Sequence, residues 1–340
     1  MNKDQLVAVA KAMAARGKGL LAADESSGTI KRRFDAIGVE STAETRRDYR
    51  ELLFRSRTAM ERHISGVILY DETLRQSARD GTPLVELIEA AGALPGIKVD
   101  AGTKPLPNHP GEVITEGLDG LAARMAEYFK LGARFAKWRA VIDIGEGFPT
   151  SYCIKANAQA LARYAAICQD ANIVPIVEPE VLMDGAHPIE RCEEVTEWVL
   201  KTLYQELYAA RVFLEGTVLK PNMVVPGKKC PRQASPEEIA ERTLRVFKYC
   251  VPVAVPAVAF LSGGQSDVEA TANLDAINRR GPLPWPVTFS YGRALQAAPQ
   301  KAWSGKPENV AAAQHAFSHR AKMNGLAAMG EWEKGAEAAA

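Results

Sequence analysis

The sequence is poor in the residues that build disulfide frameworks and metal centres. Among 340 residues there are only five cysteines and five histidines. Cys153, Cys168, Cys192, Cys230 and Cys250 are scattered, form no CxxC pair and are odd in number. That argues against a disulfide scaffold and for a reducing, cytoplasmic setting. No long hydrophobic run occurs either. The longest, VPVAVPAVAFL at 251–261, is too short to span a bilayer and contains Pro252 and Pro256. The N-terminal MNKDQLVAVAKAMAARGKG sets Asp4 and Lys11 around a short apolar stretch, as a small amphipathic helix does and a secretory signal does not. Neither sign of charge dominates: the net charge is +1, so no global field draws nucleic acid or an anionic membrane. An anionic ligand needs a local site. Low-complexity linkers and short-period repeats are absent, and no GxGxxG follows the first apolar run, so a dinucleotide fold lacks its cue.

What is present is an alternation. Hydrophobic residues make up 47% and charged residues 24%, the balance of a globular chain that can bury a core. β-prone runs fall at 19–24, 66–70, 96–100, 134–142, 173–180, 214–221, 257–263 and 286–292. Helix-like stretches separate them; SPEEIAERTLRVFKYC, for example, opens with Ser-Pro-Glu-Glu, a helix-start signal. Strand and helix alternating in this way predict an α/β protein with parallel strands and crossover helices. Eight units point to a (β/α)8 barrel of the TIM type, which takes about 250 residues. We expect one domain, with a barrel core over about 18–305, an N-terminal helical segment, and a C-terminal helix and short tail over 306–340. The alternative is an open doubly wound sheet.

Active sites of such barrels lie at the C-terminal ends of the strands, and these runs end in charge. The first ends at Asp24 and the third carries Lys98. The fourth carries Lys137 and Arg139, and the fifth Glu178 and Glu180. Each pair is two residues apart and so shares one face. The sixth, LEGTVLKP, carries Glu215 early and Lys220 at its end, with Pro221 stopping the strand. A single strand-end charge is ordinarily solvated. Several converging on one barrel interior would need an ion-pair network that rarely adds stability over apolar packing, so chemistry is the better explanation. A lysine beside another cation and away from bulk water drops from about 10.4 toward 7 or 8. Lys220 beside Lys137 would then be a neutral amine able to form a Schiff base with a carbonyl.

Phosphate is the second theme. SGGQSDVEA sets Gly263 and Gly264 between a strand and a helix start, where backbone N–H groups and the helix dipole favour an anion. SYGRA adds Gly292 and Arg293, and ESSGTIKRR follows the first strand. Loops on opposite sides of one barrel suggest a ligand with a phosphate at each end.

These motifs identify a resemblance. LAADES, GVILYDETL, GIKVD, GLDGLAAR, FAKWR, IVPIVEPE, LEGTVLKPNM, FLSGGQS, SYGRALQ and KAW together resemble class I fructose-bisphosphate aldolase, over roughly residues 5 to 325. The resemblance implies reversible aldol cleavage of fructose 1,6-bisphosphate to dihydroxyacetone phosphate and glyceraldehyde 3-phosphate, without metal or other cofactor, by a homotetramer. Lys220 looks like the Schiff-base lysine. Glu178 looks like the acid/base for carbinolamine dehydration and the C4 hydroxyl proton, with Asp24 orienting that hydroxyl. Lys137 looks like the lysine that tunes the nucleophile, and Glu180 would hydrogen-bond this cluster. Ser262, Gly263, Gly264, Ser290, Gly292 and Arg293 look like the site of the C1 phosphate. Ser26, Thr29, Arg33 and Lys98 look like the other phosphate end, and Arg139 belongs to the same polar interior.

The match departs at its end. The family's flexible tail finishes in tyrosine, which assists proton exchange on the enamine. Here the last residues are EWEKGAEAAA and the last tyrosine is Tyr291. Either that tail is missing or another group takes its place, and the preference between fructose 1,6-bisphosphate and fructose 1-phosphate stays open. Three competing readings remain. A metal-dependent aldolase would need ligands such as His315 and His319, which instead read as a polar helix face. A transaldolase-like Schiff-base barrel would use other substrates. A catalytically idle phosphate-binding protein would not need Lys220, Glu178, Asp24 and Lys137 together.

Overall fold

The computed structural model describes residues 1–338; Ala339 and Ala340, the end of the expected tail, lie outside the described residues. Each of the eight β-prone runs contributes a strand. They are β1 (Gly19–Ala23), β2 (Ile64–Leu69), β3 (Leu94–Lys98), β6 (Phe135–Ile142), β7 (Val174–Val181), β8 (Val218–Leu219), β9 (Val258–Phe260) and β10 (Val287–Tyr291). They close into a parallel barrel in the order β1-β10-β9-β8-β7-β6-β3-β2. The fold is thus the (β/α)8 barrel, and the open sheet is excluded. The stretch after β3 is a hairpin: β4 (Thr103–Pro105) pairs antiparallel with β5 (Val113–Thr115).

Packing explains why the strands sit where they do. Inside the barrel, Phe135 fills the space left by two glycines. A Cβ on Gly96 would meet its ring at 2.2 Å, and one on Gly66 at 2.9 Å. The N-terminal helix Lys3–Met13 buries Leu6, Ala10 and Met13 against the inward residues Leu20, Phe135, Val174, Ile176 and Val218, and so closes the barrel floor. Each of these side chains larger than alanine contributes about 1.5–3 kcal/mol of burial. The outer helices bury the opposite faces of the strands in a second, larger core. The helix Val310–Ala327 packs over the helices Arg293–Trp303, Asp267–Asn278 and Arg57–His63.

The sixth run is much shorter than expected. Leu214–Gly216 is a 3-10 turn, and Glu215 is exposed on it, outside the barrel. Gln169 accounts for this: its side-chain amide donates to the carbonyls of Phe213 at 2.7 Å and Gly216 at 3.2 Å, groups that a longer strand would have paired in the ladder.

Candidate active site

Strand alternation brings the predicted charges to one mouth. A cavity of about 570 Å³ at the C-terminal end of the barrel is lined by Asp24, Lys98, Lys137, Arg139, Glu178, Glu180 and Lys220. Register makes neighbours of Lys98 and Lys137 on β3 and β6, and of Arg139 and Glu178 on β6 and β7. Lys220 follows β8 directly; its N–H donates to the Val177 carbonyl at 2.9 Å, which pins it beside β7.

Glu178 is the centre of the cluster. Its Oε1 lies 3.0 Å from Lys220 Nζ and its Oε2 lies 3.1 Å from Lys137 Nζ. Lys137 Nζ also lies 2.8 Å from Asp24 Oδ2. Lys137, Glu178 and Lys220 are all at most 4% exposed, so these ion pairs act in a poorly screened interior. A carboxylate stands between the two lysines and bridges them. Burial opposes ionisation of Asp24, but Lys137 and Lys220 outweigh it and hold its pKa well below the carboxylate range. Burial likewise opposes ionisation of Glu178; Lys137, Lys220 and Arg139 outweigh it, and its pKa is lowered. For Lys137, burial is overcome by Asp24 and Glu178, and its pKa is raised above that of an ordinary lysine. Glu180 binds Arg139, not the lysine cluster.

The anion-binding groups occupy the rim. Ser262 and Ser290 are buried on the cavity wall, and Ser290 Oγ has no hydrogen-bond partner among the described residues. Gly263, in the left-handed region at φ 54°, accepts from Arg293 Nη2 at 2.5 Å, which ties the loops after β9 and β10. Gly264 departs from expectation and does not line the cavity. Its N–H points at Met183 Sδ, 2.9 Å away, and the Lys228 side chain lies across its Cα. The helix behind it is capped already: Ser266 and Glu269 form a capping box at the start of Asp267–Asn278. Two helix starts without a side-chain cap, at Gly292 before Arg293–Trp303 and at Ser26 before Ser27–Asp35, open on the cavity. Ser26 Oγ instead contacts Thr29 Oγ1 at 3.2 Å.

Barrel closure corrects a second expectation. β1 pairs with β10, so the loop carrying Ser26, Thr29 and Arg33 borders the loop carrying Gly292 and Arg293 and does not oppose it. A Cβ on Gly292 would lie 3.9 Å from Arg33 Nη2. The groups across the mouth are Lys98 and Arg139, on β3 and β6.

Sequence reading missed three residues. Asp100, just past β3, accepts from the Arg139 N–H at 3.2 Å and lies 3.3 Å from Lys98 Nζ. Glu25 and Arg50 form a buried pair behind the rim. Asp100 and Glu25 stand inside strand-end motifs, so position was the available signal; Arg50 lies mid-helix and offered none. The histidine pair comes to no common ligand: His315 is exposed and His319 Nε2 faces Glu337 Oε2 at 3.4 Å.

Fold and cavity together are those of a barrel enzyme that sets a buried amine and carboxylates before an anionic substrate. The family model described as fructose-bisphosphate aldolase class-I matches residues 5–340. The chain is 54% identical over 334 residues to the probable fructose-bisphosphate aldolase class 1 of Xanthomonas axonopodis pv. citri, covering 98% of this chain and 100% of that one. It is 53% identical over 331 residues to the cytoplasmic isozyme 2 of Pisum sativum, covering 97% and 92%. A solved structure of the Plasmodium falciparum aldolase, in complex with TRAP and a small-molecule inhibitor, superposes with a TM-score of 0.95 at 48% identity over 97% of this chain and 96% of that one. The chain belongs to the class-I fructose-bisphosphate aldolase family.

Proposed function

We propose that Lys220 is the nucleophile and Glu178 its proton partner in the family's reaction, the reversible cleavage of fructose 1,6-bisphosphate. The observation that carries this is the 3.0 Å contact between Lys220 Nζ and Glu178 Oε1 in a buried cavity mouth. Lys220, relieved of a proton, adds to the C2 carbonyl; Glu178 returns that proton to the departing hydroxyl, and water and an iminium result. The C4 hydroxyl, oriented by Asp24, then loses its proton to Glu178. The C3–C4 bond breaks, its electrons pass into the iminium, and glyceraldehyde 3-phosphate departs. Protonation of the enamine at C3 and hydrolysis of the imine release dihydroxyacetone phosphate and free Lys220. Lys137 keeps Asp24 and Glu178 ionised as bases.

Ser262, Gly263, Ser290, Gly292 and Arg293 would take one phosphate, with Ser26, Thr29 and Arg33 on the adjoining rim. Lys98 and Arg139 would take the other, with Glu180 and Asp100 holding Arg139. The whole chain acting as one domain, its assembly as a homotetramer and its cytoplasmic placement belong to the same reading. The family resemblance supports the assembly. All five cysteines being free supports the compartment. Among the described residues no helix is long and apolar enough to cross a membrane.

The test is reductive trapping. Fructose 1,6-bisphosphate, sodium borohydride and EDTA should leave a reduced adduct on the peptide containing Lys220. Cleavage that appears only with an added divalent metal, and no adduct, would overturn the assignment.

A further inference from the structure

The cavity wall holds a carboxylate that this chemistry does not use. Glu25 follows Asp24, is 6% exposed and lines the cavity. Its Oε1 is paired with Arg33 and accepts from Gln296 Nε2 at 2.8 Å. Its Oε2 lies 3.2 Å from Arg50 Nη2, which also donates to the Glu25 carbonyl at 3.2 Å. Arg50, on the helix Ala43–Phe54, is 1% exposed, and its Nε and Nη1 are buried without a hydrogen-bond partner among the described residues. Arg33 is different: its side chain is 24% exposed and it faces the cavity.

Two guanidinium groups therefore share one carboxylate, and the trio carries surplus positive charge. For stability alone this is a poor arrangement. Buried unpartnered donors destabilise, and apolar packing often does better than a buried ion pair. The surplus is useful if Arg33 is to be given up. A phosphate at the rim offers Arg33 a bidentate partner. Were Arg50 absent, drawing Arg33 away would leave Glu25 buried without a cation, which is strongly unfavourable. With Arg50 and Gln296 in place, Glu25 stays compensated and Arg33 is free to move.

We propose that Arg50 is a positioning residue that releases Arg33 from Glu25 to a phosphate of the substrate. The inference rests on the reading of this cavity as a sugar-bisphosphate site. It is tested by steady-state kinetics with fructose 1,6-bisphosphate on Arg50→Met and on Arg50→Met with Glu25→Gln. In the single variant Arg33 is the only cation left beside Glu25, so KM should rise about tenfold while kcat changes by less than about twofold. The double variant removes the competing charge, and KM should return to within about threefold of the parent. A merely structural Arg50 would lower the melting temperature and active fraction in both variants and leave KM unmoved; that result, or a double variant no better than the single, overturns the proposal. Should Arg50→Met fail to fold, Glu25→Gln alone decides. Arg33 without its competitor should bind inorganic phosphate, read as competitive inhibition, at least about threefold more tightly, and equal or weaker binding overturns the proposal. Borohydride trapping of the parent enzyme is run alongside. An adduct on Lys220 with a failed KM pattern removes only this inference; no adduct removes the reading beneath it as well.

Discussion

Glu178 holds Lys220 and Lys137 on separate oxygens, Oε1 at 3.0 Å and Oε2 at 3.1 Å. One carboxylate thus touches the proposed nucleophile and the lysine that keeps the carboxylates charged. Glu178→Gln preserves shape but cannot accept a proton. Its kcat should fall about 10²–10⁴-fold, with slower borohydride trapping at Lys220 in single-turnover experiments. Near-normal turnover would remove Glu178 from the proton path.

The same cluster sets a pH response. Asp24 and Glu178 have lowered pKa values in the fold. Their contribution to stability is therefore present above their unfolded values, near 4, and is lost as pH falls through the folded ones. Lys137 has a raised pKa. Its contribution is complete below its unfolded value, near 10.4, and is lost as pH rises through the folded one. Melting temperature should accordingly vary little with this cluster between about pH 5 and 9 and drop on the acid side. Lys137→Met strands the buried Asp24 carboxylate and leaves Glu178 with Lys220 alone, and should cost about 3–5 kcal/mol at neutral pH. It should also move the acid limb to higher pH, as thermal melts across pH will register.

Gly263 and Gly264 are adjacent in sequence and should respond differently. Gly263 lines the cavity at φ 54°, a conformation that strains any side chain. Gly263→Ala should raise KM for fructose 1,6-bisphosphate. Gly264 faces Lys228, whose flexible end can move aside. Gly264→Ala should leave KM within about twofold. Equal effects on KM would contradict the assignment of the rim.

Gly96→Ala tests the barrel interior apart from its mouth. The new methyl would meet the Phe135 ring at 2.2 Å. Overpacking of this kind costs about 1–3 kcal/mol or more, so denaturant unfolding should shift to lower concentration. Lys220 trapping per folded molecule should be unchanged.

Much of this was legible in the sequence because strand pattern and strand-end charge are local properties. β-prone runs with charges at their ends gave the eight strands and the barrel, and two-residue spacing put Lys137 with Arg139 and Glu178 with Glu180 on shared faces. The anion loops were visible for the same reason, as glycine, serine and arginine at strand ends.

Tertiary structure decided which of these groups meet. Pairing partners lie far apart in the chain, and only barrel closure and register bring them together. Closure put the loop after β1 beside the loop after β10. Register and burial set Glu178 between two lysines. A side-chain amide from Gln169 cut the sixth strand short. Arg50, buried in mid-helix against Glu25, carries no local mark of that pairing. Local sequence thus determined the elements and the chemical inventory. The fold determined the partners, because a charge in a low-dielectric interior takes its meaning from its nearest neighbours.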